Sequence, residues 1–303
     1  MRGCARRGTE WKLRSRTLEL GRRTLVMGVV NVTPDSFSDG GLFLDPEAAV
    51  AHALQLMDEG ADLLDVGAES TRPGSRAGLA AAGAVSAAEE QARLLPVLKG
   101  ILAARPEAIV SVDTYKAETA RAALDCGAEI VNDVSGFGWD AELAGVCAEA
   151  GCGVVLMHTR GRPDEWAAQA RLSSDEVMAT VQAGLHASLD EATAAGIEVE
   201  RIVLDPGYGF GKRGEENFAL LARQAELLAL GRPLLAGLSR KSFLGGALAP
   251  LDGGKTAPLD GREAASLSAM TAAILNGASI VRVHRVREAV EAALVVDAVV
   301  SRG

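Results

Sequence analysis

The chain has 303 residues, 48% of them hydrophobic and 23% charged, with a formal net charge of −9. That is enough apolar material for one large core and too much for a disordered chain. The acidic balance argues against non-specific nucleic-acid binding, so an anionic ligand must be met by local cations.

No apolar run approaches the roughly 20 residues of a membrane helix. The start, MRGCARRGTEWK, is basic but lacks the apolar centre of a secretory signal. Residues 1–10 read as a frayed N-terminus and 11–303 as one domain. The cysteines, Cys4, Cys126, Cys147 and Cys152, form no CxxC pair and no Cys/His cluster with metal-site spacing. Buried free thiols in a reducing cytoplasm account for them.

Residues 11–24 alternate polar and apolar around Leu13, Leu18 and Leu20, which predicts a short β-hairpin. The apolar run 25–30 predicts strand one. A polar loop of over ten residues follows, of a length more often functional than idle. Asp45-Pro46-Glu47 then marks a helix start, with an N-cap acid, Pro at the first helical position and an acid near the positive helix end. That helix runs to about Glu59.

The same alternation continues. Strands are predicted at 63–66, 109–113, 129–133, 153–158, 201–205, 233–238 and 279–284. Helices are predicted from a Ser86/Glu89 capping box to about Ala104, from Lys116 to Asp125, near 141–150, from Ser173 to about Ala195, from Glu215 to Leu230, from Arg262 to Asn276, and over 286–300. A Gly/Pro-rich insertion occupies 245–261. Eight strands, apolar on nearly every residue and each followed by a helix, predict a TIM (β/α)8 barrel preceded by a short N-terminal β-hairpin. A doubly wound open sheet is the competing architecture, but no GxGxxG opens a helix here.

Active sites of such barrels lie where the strands end. The strand ends here carry Asn31, Asp65 with Glu69, Asp113, Asn132 and Asp133, His158, Asp205, Ser239 to Lys241, and Arg282 with His284. An Asp after a strand is often only the N-cap of the next helix. The convergence of all these groups on one rim is harder to explain so. Arg72, Lys241, Arg282 and His284 supply the local cations an anionic substrate needs.

The loop NVTPDSFSDGG (31–41) resembles the signature of the dihydropteroate synthase family at every position. Further segments resemble it in order: ESTRPGS (69–75), 111–136, LMHTRGRP (156–163), LDPGYGFGK (204–212), GLSRKSFLG (237–245) and RVH (282–284). The resemblance spans about residues 11–300. It implies condensation of a hydroxymethyl-dihydropterin diphosphate with 4-aminobenzoate, with magnesium, by a dissociative route in which diphosphate leaves first. It also implies a sulfonamide target and a homodimer formed through outer helices.

By the same resemblance Asp205, Asp113 and Asn132 read the N–H edge of the pterin. Lys241 donates to its carbonyl and a ring nitrogen, and Met157 and Phe210 line the slot. Arg282 and His284 grip the diphosphate with Thr71 and Arg72. Asn31 contacts magnesium, and Phe37, Thr71, Pro73, Lys241 and Ser242 hold the amine. The catalytic set is Asp113, Lys241 and Arg72, with Asp113 stabilising the developing cation.

The chain departs from the family at Arg285, where Asp is usual, and at Glu216, where His is commoner. The insertion 245–261 and the aromatic pair Phe137 and Trp139 also lack a match. Two other readings stay open: a pterin-binding methyltransferase barrel, and a non-catalytic pterin-binding paralogue.

Overall fold

The structure, a computed structural model, describes residues 8–33, 45–71, 75, 77 and 84–302. Its centre is a closed barrel of parallel strands. They are β3 (Leu25–Asn31), β4 (Leu63–Gly67), β5 (Val110–Asp113), β6 (Ile130–Asp133), β7 (Gly153–Met157), β8 (Ile202–Asp205), β9 (Leu234–Ala236) and β10 (Ala278–Val283). Helices α1 (Pro46–Asp58), α2 (Ala87–Ala104), α3 (Ala117–Asp125), α4 (Leu143–Ala150), α5 (Ser174–Ala194), α6 (Gly214–Ala222), α7 (Ser242–Ala247), α8 (Glu263–Leu275) and α9 (Val286–Val300) connect and surround them. None of the described helices is long and apolar enough to cross a membrane.

The helix starts follow the sequence signals. The Asp45 side chain accepts the Glu47 N–H ahead of Pro46, and Ser86 with Glu89 and Ser173 with Glu176 form reciprocal capping boxes.

The hairpin, β1 (Thr9–Lys12) and β2 (Thr17–Leu20), begins two residues before the expected 11. It closes the N-terminal mouth of the barrel. Trp11, Leu13 and Leu20 pack on Leu25, Met27, Leu63, Ile130, Val155, Val203, Leu235 and Ile280, the side chains that fill the barrel's lower interior. Trp11 is fully buried and its indole N–H donates to the Arg201 carbonyl at 2.8 Å. The approach is close enough that a Cβ on Gly153 would sit 2.6 Å from Leu13. Glycine at the start of β7 is therefore a packing requirement of this plug.

Two expectations need correction. The helix expected from Glu215 to Leu230 breaks at Arg223, with α6 ending at Ala222 and a 3₁₀ stretch covering Gln224–Leu230. The cause is tertiary. Gln224 is buried, accepts the Tyr208 hydroxyl at 2.8 Å, and donates to the Ala273 and Asn276 carbonyls at 2.9 and 3.1 Å. Those bonds fix where the side chain points, and the apolar periodicity cannot register them.

The insertion 245–261 is also more than a loop. It starts inside α7, turns through Gly253 and Gly254, and folds back so that the Ala257 N–H donates to the Gly245 carbonyl at 3.1 Å. Arg262 locks the turn, donating from Nε to the Ala257 carbonyl at 2.8 Å and from Nη1 to the Arg240 carbonyl at 2.9 Å.

Candidate active site

Side chains on a barrel strand alternate inward and outward, so one inward residue predicts the next two positions on. The lower plug contains Leu63, Ile130, Val155, Val203, Leu235 and Ile280, with Ile109 packed against it. Two residues up the same strands stand Asp65, Asn132, Met157, Asp205, Gly237, Arg282 and Ser111, and two further on β5 stands Asp113. On β4, β5, β6, β8 and β10 the inner surface thus changes from aliphatic to polar or charged within one step, at the C-terminal end.

The charged layer is wired together. Arg282 donates from Nε to Asp65 Oδ2 at 2.6 Å and from Nη2 to Asp113 Oδ2 at 2.7 Å. Asn132 donates its amide N–H to the same Asp65 Oδ2 at 2.9 Å. Burial works against the Arg282 charge, but Asp65 and Asp113 outweigh it and hold the guanidinium above its ordinary value. Burial pushes the Asp113 carboxyl up to about 7, with Arg282 opposing and Asp65 reinforcing the rise. Burial, then Arg282, brings the Lys241 ammonium down to about 8.

Lys241 caps α7 and hangs its Nζ over the Phe210 ring, 4.0 Å from the centroid. Arg240, just before it, takes a left-handed backbone with φ 61°. That conformation is held by its N–H to Ser266 Oγ at 2.9 Å, its Nε to Glu263 at 2.7 Å, and the Arg262 bond to its carbonyl. The N-terminal end of α8, with Arg262 just before it, thus fixes the turn that aims Lys241.

Asp205 is buried and raised by that burial, and its Oδ1 accepts the Gly207 N–H at 2.7 Å. Met157 packs with Tyr115, Val134 and Ala77, and with the half-buried Trp139 and Phe210, into an aromatic wall. Trp139 lies edge-on to Tyr115 at 5.1 Å. Phe137 turns away into the core with φ 69°, its N–H on Asp133 Oδ2 at 2.5 Å. His284 Nδ1 lies 3.0 Å from Ser239 Oγ, while Arg285 pairs with Glu288 in the first turn of α9. Asn31 ends β3 beside Gly67, and Thr71 is half-buried on the second loop. Ser242 is exposed at the start of α7. Phe37, Arg72 and Pro73 lie outside the described residues.

Several groups at the site escaped the sequence reading. Asp65 stood among the strand ends but was given no role, although its parity with Leu63 marks it as inward. Lys212 is buried and donates its three Nζ–H bonds to the His158, Gly207 and Phe210 carbonyls at 3.1, 2.7 and 3.2 Å. It staples the loop bearing Phe210 to the end of β7. Lys116 bridges Glu69 and Glu90 under the second loop. Glu216 accepts the Leu172 and Arg213 N–H groups at 2.9 and 2.8 Å and pairs with Arg160 at 3.6 Å, a structural clasp between loops. His158 is buried and held well below its ordinary value by that burial, so it stays neutral behind the wall.

No group of three or more His, Cys, Asp or Glu among the described residues is arranged to hold a metal ion. Asn31 offers a neutral amide oxygen at the rim. A hard cation that keeps several waters and binds chiefly through a ligand's phosphate oxygens fits such a donor. The site as a whole offers buried acceptors for a flat ring with an N–H edge, and cations for an anion beside it.

A family of pterin binding enzymes matches residues 27–284 of the chain. The chain is 48% identical over 273 residues to a dihydropteroate synthase of Mycobacterium leprae, covering 90% of this chain and 92% of the relative. Among solved structures it resembles Yersinia pestis dihydropteroate synthase in complex with a sulfonamide drug, with a TM-score of 0.86 and 37% identity over 97% of this chain and all of the other. It also resembles Xanthomonas albilineans dihydropteroate synthase in complex with 7,8-dihydropteroate, with a TM-score of 0.80 and 39% identity over 96% of this chain and 98% of the other.

Proposed function

Because the chain belongs to the dihydropteroate synthase family of pterin-binding enzymes, we propose how its own residues condense 6-hydroxymethyl-7,8-dihydropterin diphosphate with 4-aminobenzoate. The observation that carries this reading is Arg282 bound between Asp65 and Asp113, with Asn132 on the same Asp65 oxygen and the buried Asp205 in the same inner layer.

The pterin's N–H edge meets Asp205, Asn132 and Asp113, and Lys241 donates to its carbonyl and ring nitrogen. Met157 and Phe210 form the walls of the slot. Arg282 and His284 grip the diphosphate, and Thr71 and Arg72 close over it. As the C–O bond to diphosphate breaks, positive charge develops on the pterin methylene, and the Asp113 carboxylate stabilises it. The amine nitrogen, held among Phe37, Thr71, Pro73, Lys241 and Ser242, then attacks the methylene carbon, and the resulting ammonium gives its proton to the released diphosphate. A neutral aromatic amine needs no strong base.

Asn31 is the residue proposed to contact magnesium, which when bound would neutralise the departing diphosphate. A chelator is expected to abolish turnover and added magnesium to restore it; turnover indifferent to both would remove the metal from the account.

Sulfonamides occupy the same chemistry as 4-aminobenzoate, so inhibition is expected to be competitive against the amine. A noncompetitive pattern would contradict the assigned amine pocket.

The free protein's kcat/KM is expected to be bell-shaped in pH. It rises through about 7 as Asp113 ionises and falls above about 8 as Lys241 loses its proton. Lys241→Arg, which stays charged, should remove the alkaline limb from whatever activity remains. A profile flat from pH 6 to 9.5 would mean these groups do not titrate in the free site.

We also propose a homodimer through α9, whose Leu294, Val295 and Val299 are 63, 66 and 61% exposed. Sedimentation at one chain's mass would overturn it.

A further inference from the structure

Two donors from different strands converge on one oxygen. Asn132 of β6 and Arg282 of β10 both bond Asp65 Oδ2, at 2.9 and 2.6 Å, and Asp65 is completely buried on β4 between them. Its other oxygen, Oδ1, is buried without a hydrogen-bond partner among the described residues. The residue therefore faces its partners and not solvent.

A carboxylate only accepts hydrogen bonds, whereas an amide has a donating and an accepting end. Asn132 must therefore turn its NH2 to Asp65, which leaves its carbonyl oxygen for the pocket. Asn132 is itself nearly buried, and among the described residues no other side-chain bond opposes this orientation.

We propose that Asp65 is a positioning and specificity residue: it locks the Asn132 amide so that the pocket presents an acceptor, and thereby selects a ring bearing an N–H at that point. This rests on the pterin reading above. Asp65 divides its oxygen between Asn132 and Arg282, so it ties the ring-reading side of the site to the anion-binding side. Arg282 keeps a second anchor in Asp113, at 2.7 Å, whereas among the described residues the Asn132 side chain has Asp65 alone. Removing Asp65 should therefore disturb ring recognition more than anion binding.

The test is a calorimetric double-mutant cycle on the full chain, with 6-hydroxymethyl-7,8-dihydropterin and inorganic diphosphate as separate probes. Asp65→Leu is expected to weaken pterin binding about 30-fold in the wild-type background and less than about 5-fold in an Asn132→Ala background. Diphosphate binding should be unchanged or tighter, because one carboxylate no longer competes for Arg282. Losses that simply multiply, or equal loss of both probes, would overturn the proposal. A wild-type protein that binds diphosphate but no pterin would instead overturn the pterin reading itself.

If Asp65→Leu does not fold, Asn132→Asp tests the same point. It sets two carboxylates face to face, and neither can donate. Its pterin affinity relative to wild type should be poor at pH 8 and recover as the pH falls and the pair takes up a proton. A ratio constant from pH 8 to 5.5 would show that Asp65 does not orient residue 132.

Discussion

Replacing Arg282 with leucine is expected to abolish measurable turnover and to cost about 3–5 kcal/mol of stability. The two losses have one origin. The guanidinium is the common partner of Asp65 and Asp113, at 2.6 and 2.7 Å. Without it, two carboxylates share an inner barrel layer with no cation between them. Burial already holds Asp113 at about 7 with the arginine present. The variant should therefore lose most of its stability deficit at acid pH, where Asp113 is protonated, and show it fully above neutrality. Urea midpoints at pH 5.5 and 8 read this directly. Wild-type midpoints at both would mean that the three residues do not form a coupled network. Arg282→Lys should recover part of the stability but little activity, because one ammonium cannot reproduce a fork that reaches both carboxylates.

Asp205→Asn is expected to weaken pterin binding about 100-fold or more, with the folded state nearly unaffected. The direction follows from one bond. Asp205 Oδ1 accepts the Gly207 N–H at 2.7 Å. An amide at this position must place its oxygen there, because its NH2 would meet another donor. Its NH2 then occupies the place of Oδ2 and faces the pocket. A pterin edge that presents N–H groups meets a donor where it needs an acceptor, and each side leaves a buried group unpaired, at about 1–3 kcal/mol apiece. The carboxylate therefore does not have both oxygens to offer the ring. One is committed to the Gly207 turn, and that commitment fixes what the other offers. Calorimetric titration with the pterin decides it, and unchanged affinity would remove Asp205 from the ring-reading set.

The barrel was legible because its signals are local. Asp45-Pro46, Ser86 with Glu89 and Ser173 with Glu176 announce their helices within a few residues. The strands announce themselves as apolar runs ending on polar groups. Much of the site was legible for the same reason, since Asp113, Asn132, Asp205 and Arg282 sit on strands whose ends the sequence marks. What escaped it depends on partners far away in the chain. Lys212 looks like a surface lysine until three carbonyls are brought around its ammonium. Gln224 looks like one more helical residue until Tyr208 and the end of α8 claim its amide. Asp65 reads as a strand-end acid, and only the closed barrel shows that Asn132 and Arg282, 67 and 217 residues away, meet on its oxygen. Arg240 carries no signal of its brace, because Arg262, Glu263 and Ser266 reach it only after the chain has turned back.

The most direct measurement is the formation of 7,8-dihydropteroate by the purified protein from the pterin diphosphate and 4-aminobenzoate, with magnesium present and diphosphate release followed in the same reaction. The account predicts one diphosphate released per dihydropteroate formed, and neither product from the Arg282→Leu variant. Tight binding of the pterin diphosphate with no dihydropteroate formed would contradict it, and would leave a barrel that recognises the pterin without joining it to the amine.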